Sequence, residues 1–118
     1  MSSSKNDFLE SYFGEAFRTN ERDLRKDFPD FLALMHSAAI EGVWLRPGLS
    51  KRDRSLVTLS TQAALGRWDQ VEIHLRGFYS LGGTEAEFKE VALHVAIYCG
   101  FPAGLACFRI WKKVAAEK

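Results

Sequence analysis

Thr84–Arg109, TEAEFKEVALHVAIYCGFPAGLACFR, decides the fold of this chain. Thr84 and Glu87 form a T-x-x-E capping box ahead of an apolar run, so a helix starts there. Gly100-Phe101-Pro102 interrupts it. Proline loses no hydrogen bond as an early helical residue, so a second helix follows. Along the first helix Glu87, Glu90, His94 and Tyr98 recur at helical spacing and share one face. Phe88, Val91, Ala92, Val95 and Cys99 share another. A titratable stripe beside an apolar one suits a buried site and an ordinary amphipathic helix equally well, so the rest of the chain must separate the two.

Working outward, helical signals continue and no alternating strand pattern emerges. Residues 1–6 are expected to be flexible. A first helix is predicted over about Asp7 to Phe17 and a second over about Glu21 to Trp44, interrupted near Pro29. Arg46-Pro47-Gly48-Leu49 reads as a turn. Ser50 is placed as N-cap of a helix from Lys51 to Leu65, with Asp53 three residues on and Gly66 ending it. A further helix runs from Trp68 to Leu81 and stops at Gly82-Gly83. The fold class is all-α with about six helices in one domain over residues 1–118. Ile97, Tyr98, Phe101, Leu105, Phe108, Ile110 and Trp111 are more apolar surface than a monomer this small readily covers, which predicts a homo-oligomer.

Bulk properties narrow the function. The chain has 118 residues, 47% of them hydrophobic and 26% charged, which is globular composition. Lys and Arg number 16 against 15 Asp and Glu, so no global field draws nucleic acid or an anionic membrane. No apolar run spans a bilayer, and MSSSKNDF lacks the core of a signal peptide, so a cytoplasmic address is expected. Cys99 and Cys107 form no C-x-x-C pair, and in a reducing compartment they are expected free, buried and unreactive. Without H-E-x-x-H or a close Cys/His cluster, no metal site is expected.

Several residues could carry chemistry. His74 sits mid-helix in QVEIHLRGF, where a lone histidine is more often structural than catalytic. Arg52 and Arg54 open a helix at the end where cations oppose its dipole, which suggests holding an anion or pairing with Glu or Asp. Glu90 and His94, at i and i+4, are either an acid–base pair or a surface ion pair. Tyr98 extends their stripe. Spacing alone stops at a candidate pocket of histidine, glutamate, arginine and tyrosine.

VWLRPGLSKRDRSLVTLSTQAALGR, followed by HLRGFYSLGGTEAEFKEVALHVAIYCGFPAG, closely resembles the carboxymuconolactone decarboxylase family over about Val43 to Val114. The resemblance implies an all-helical fold of the alkylhydroperoxidase D-like kind, assembled as trimers or hexamers. It implies a cofactor-free carboxy-lyase acting on 4-carboxymuconolactone or a similar lactone or keto acid in aromatic-compound catabolism, within the β-ketoadipate pathway. Loss of CO2 from the γ-carbon of such a lactone sends its electrons through the ring double bond into the lactone carbonyl. An acid then protonates the α-carbon of the resulting dienolate. The protein must anchor the spared carboxylate, stabilise the oxyanion and deliver one proton.

Carried over by position, the resemblance makes His74 the proton donor or oxyanion partner and Glu90 the group that tunes it. Arg46, Arg52, Arg54 and Arg76 become candidates for the substrate carboxylate or for helix pairing, with His94 and Tyr98 as further substrate-binding candidates. The chain departs from the family pattern at Glu72, where arginine is usual, at His94, at Arg109, and at Glu41, where an acidic residue is displaced. These changes keep open a different small acid or lactone as substrate, and a non-catalytic oligomeric binding protein. Thiol peroxidase chemistry is disfavoured, because Cys99-Gly100-Phe101-Pro102 lacks the second thiol.

Overall fold

A computed structural model of the chain describes residues 2–117. Every regular element among them is helical: seven α-helices and one π-helical segment, with no strand. The all-α reading holds. The chain divides into two compact units, Met1–Lys51 and Arg52–Lys118.

The first unit holds α1 (Ser2–Phe13), α2 (Glu15–Asp27) and α3 (Pro29–Met35), and α3 runs on into a π-helical segment, His36–Trp44. α1 starts earlier than expected and ends earlier too; Met1, part of the segment expected to be flexible, lies outside the described residues. The single helix predicted through Phe17 is broken at Gly14, whose φ of 57° suits glycine and few other residues. The helix predicted from Glu21 breaks at Phe28, held extended (φ −152°) as expected of a residue before proline, and Pro29 opens α3. Beyond Met35 the backbone widens: the Leu45 N–H donates to the Ile40 carbonyl five residues back at 2.9 Å. Phe8 and Tyr12 of α1 pack on Trp44, with ring centroids 5.2 and 5.0 Å away, so α1 closes over the end of the π-helical segment.

The second unit contains α4 (Lys51–Ala64), α5 (Trp68–Ser80), α6 (Glu85–Cys99) and α7 (Phe101–Ala115). Leu59, Val71, Leu75, Phe78, Phe88 and Cys107 are almost wholly buried in one core drawn from all four helices. The capping box forms as the sequence predicts: Thr84 Oγ1 accepts from the Glu87 N–H at 3.1 Å, and Glu87 Oε1 accepts from the Thr84 N–H at 3.0 Å. α6 and α7 make a tight antiparallel hairpin about Gly100 (φ 99°). A Cβ on Gly104 would lie 2.7 Å from the Ala96 Cβ, so glycine sets how closely the two helices approach. Among the described residues no helix is long and apolar enough to cross a membrane.

Candidate active site

His74 is buried in the second unit. On α5 it shares a face with Val71, Gly77 and Phe78, all buried, and keeps 6% of its surface exposed. Burial disfavours the imidazolium and pushes its pKa down to about 4, so at neutral pH the ring is uncharged. A neutral imidazole can donate an N–H hydrogen bond to a developing oxyanion but is not a charged acid. Two further polar groups of the second unit, which sequence reasoning did not single out, are buried or half-buried. Ser55 is fully buried on α4, and burial, then Glu85, push the Tyr79 phenol up to about 12. Ser55 was legible, since it recurs with Leu59 and Ala63 at four-residue spacing on one buried face.

Among the candidate arginines, Arg52 and Arg76 bind carboxylates of the chain itself. Arg52 forms an ion pair with Glu87 and lies 5.4 Å from the centroid of the Phe78 ring, so it ties the start of α4 to α5 and α6. The pairing alternative for this cation is therefore the one adopted. Arg76 stands two residues from His74, hence on nearly the opposite side of α5. It reaches Glu72 at 2.7 Å and Glu117 at 2.9 and 2.5 Å. Lys113 also binds Glu72, at 2.9 Å. Burial opposes ionisation of Glu72, but Lys113 and Arg76 outweigh it and hold that carboxyl below the usual range. Glu72 thus belongs to a clamp joining α5 to the end of α7, on a face away from His74. Arg54 is half-buried on α4, and Arg46 is exposed in the first unit, its N–H donating to the Val43 carbonyl at 3.1 Å.

The stripe on α6 separates from His74. Glu90, expected to tune that histidine, is exposed and makes no hydrogen bond or ion pair among the described residues. The reason is geometric: α6 buries Phe88 and Val95, and Glu90 and His94 lie away from that face. Nor do Glu90 and His94 pair. His94 instead stacks on Tyr98, centroids 5.5 Å apart and planes 22° apart, with Tyr98 80% exposed. On the solvent side of the hairpin a groove of about 620 Å³ runs between α6 and α7, lined by apolar residues including Ala92, Leu105, Phe108 and Trp111. Lys89 at its edge lies 4.5 Å from the Trp111 ring centroid, and none of the candidate residues lines it.

The thiols differ from one another. Cys107 is buried, which pushes it up to about 11 and leaves it inert, whereas Cys99 is exposed, contrary to expectation, because it ends α6 at the turn. Among the described residues no three His, Cys, Asp or Glu side chains gather as metal ligands.

Comparison with known proteins adds an independent line. Residues 29–113 match the model of the carboxymuconolactone decarboxylase family, which takes in α3, the π-helical segment and most of the second unit. A 4-carboxymuconolactone decarboxylase of Acinetobacter baylyi is 40% identical over 95 residues, covering 80% of this chain and 69% of that protein. A nitrosuccinic acid decarboxylase of Metarhizium robertsii is 39% identical over 71 residues, covering 60% of this chain and 50% of that protein. The chain thus spans about two thirds of the first relative and half of the second.

Proposed function

The chain belongs to the carboxymuconolactone decarboxylase family, and we propose on that basis that it is a cytoplasmic carboxy-lyase acting on 4-carboxymuconolactone or a similar small lactone or keto acid. The observation that carries this reading is the 40% identity, over four fifths of the chain, to a protein named for that reaction.

The chemistry asks little of the protein beyond placement and charge. The bond from the γ-carbon to its carboxylate breaks and CO2 leaves. The electron pair moves through the ring double bond to the lactone carbonyl oxygen, and one proton is taken up at the α-carbon. The substrate's own carbonyl is the electron sink, so no cofactor is needed. His74, buried and neutral, suits the oxyanion: an N–H donor in a water-poor setting stabilises charge as it develops, with little reorganisation. Arg54, half-buried on α4 in the same unit as His74, is the candidate for the spared carboxylate, and Arg52 and Arg76 bind Glu87, Glu72 and Glu117. The protein works as a homo-oligomer, trimer or hexamer, consistent with the apolar face that α6 and α7 expose.

The engaged arginines favour a second reading, a family enzyme whose substrate carries less negative charge near α5. The two separate in one experiment. Wild type and His74→Ala are assayed side by side for CO2 release and loss of ultraviolet absorbance, with 4-carboxymuconolactone generated in place. Rapid turnover that drops by about 100-fold or more in a folded His74→Ala protein is the expected result. A folded wild type with no turnover rejects this substrate; another lactone or keto acid that raises the melting temperature then identifies the class.

A further inference from the structure

The first unit holds a small charge cluster that neither the proposed chemistry nor the aromatic packing on Trp44 uses. His36 opens the π-helical segment, and Glu41 lies five residues on, about one turn of this wider helix, so the two share a side. Lys5 of α1 reaches Glu41 at 3.6 Å, and a Glu21 carboxylate oxygen on α2 lies 3.6 Å from the His36 Nε2. Glu21 also pairs with Arg25 one turn further along α2. The charged groups around the ring are thus Lys5 of α1, Glu21 and Arg25 of α2, and Glu41 of its own segment. The His36 side chain is 16% exposed and that of Glu21 20%. The Glu21 Oε2 facing the ring is buried, with no hydrogen-bond partner among the described residues. The family match begins at residue 29, so this cluster fastens helices outside the match to a segment inside it.

We propose that His36 is an acid-sensitive latch for the N-terminal helices: a proton taken up on its imidazole releases α1 and α2 from the π-helical segment and bares Trp44. The charge balance carries this. Each carboxylate already has its cation, Glu21 with Arg25 and Glu41 with Lys5, so around a neutral ring the four charges cancel. A proton on His36 adds a fifth charge, uncompensated, where little water reaches it. Glu21 attracts that proton, but at 3.6 Å it does so without a hydrogen bond. Burial, then Lys5, outweigh Glu21 and Glu41 and hold the ring below the usual histidine value. The released ring takes its proton near pH 6.5 and the latched ring only at lower pH. The contribution of His36 to latching is therefore full above about pH 6.5 and is lost as pH falls below it. Release is local: α1 covers Trp44 through Phe8 and Tyr12, whereas the second unit has a core of its own.

The latch is read by NMR of the full chain from about pH 8 to about pH 5, above the range in which His74 titrates, following the His36 ring and the Trp44 indole together. In wild type the His36 midpoint is expected below 6.5, and the Trp44 signal is expected to move with it toward that of a solvent-exposed indole. A midpoint at or above 6.5, or a Trp44 signal that ignores the titration of His36, overturns the latch. In His36→Gln the Trp44 signal is expected to stay constant over the range. An acid transition that persists in this variant assigns release to another group and overturns the latch as well. Where glutamine by itself unlatches the helices, Glu21→Gln decides. Removing that carboxylate leaves Arg25 as an added repelling cation, so the His36 midpoint is expected to fall below that of wild type. Simple loosening of the helices does the opposite, returning the ring to about 6.5. A midpoint that rises or stays unchanged in Glu21→Gln sinks the proposal.

Discussion

His74 combines a basic side chain with the interior of a small helical unit, and its protonation is linked to folding. Its pKa is about 4 when folded and near 6.5 when exposed in the unfolded chain, so between these values the unfolded state binds more protons. Stability from this group is present above about pH 6.5 and is lost as pH falls toward 4. The shift is worth on the order of 3 kcal/mol at full extent, which is an upper figure. Urea denaturation of wild type from pH 7 to 4 is expected to lose stability that His74→Gln does not lose. Parallel curves for the two proteins would place the imidazole in contact with water. Arg76 is the contrasting case. It was a candidate for a substrate carboxylate or for pairing within the fold, and in the structure it holds Glu72 and Glu117, because a residue two positions from His74 faces the other way.

At the scale of elements, α6 illustrates how far local rules reach. Thr84 and Glu87 cap it reciprocally, and Thr84→Ala is expected to cost about 1 kcal/mol in chemical denaturation. Gly104 is a sharper test, since two effects oppose. Helix propensity alone makes alanine better than glycine by up to about 1 kcal/mol. Against that, the added methyl would stand 2.7 Å from the Ala96 Cβ, and overpacking of this kind costs about 1–3 kcal/mol. Packing wins on these magnitudes, so Gly104→Ala is expected to be destabilising; a gain in stability would show the hairpin to be looser than drawn. The π-helical segment was the element least open to sequence reading. HSAAIEGVW has ordinary helical composition, and its wider hydrogen bonding is expressed where Phe8 and Tyr12 pack against Trp44.

For the whole molecule the apolar face of α6 and α7 is the dominant unspent surface. Ile97 is 71% exposed and Tyr98 80%, beside other large apolar residues, and a face of this kind is stable in water when another surface covers it. Association that favours the folded state raises the melting temperature with protein concentration. Over a hundredfold range of concentration the midpoint is expected to rise, and a midpoint that stays constant would mean the face remains open.

Capping at Thr84, breaks at Pro29 and Gly100, and the recurrence of apolar residues at helical spacing were set by neighbours a few positions apart. The sequence alone therefore determined an all-α chain, most helix boundaries in its second half, and the motifs that mark its family. Only Gly14 escaped among the larger breaks, since glycine interrupts a helix when its φ turns positive and not by composition. The site needed the tertiary structure. Whether His74 is buried, which carboxylate Arg52 reaches, and why Glu90 stands apart from His74 depend on which helix faces meet. Those contacts join residues as far apart as Arg52 and Glu87, or Arg76 and Glu117, and helical periodicity fixes a residue's face without saying what lies opposite it.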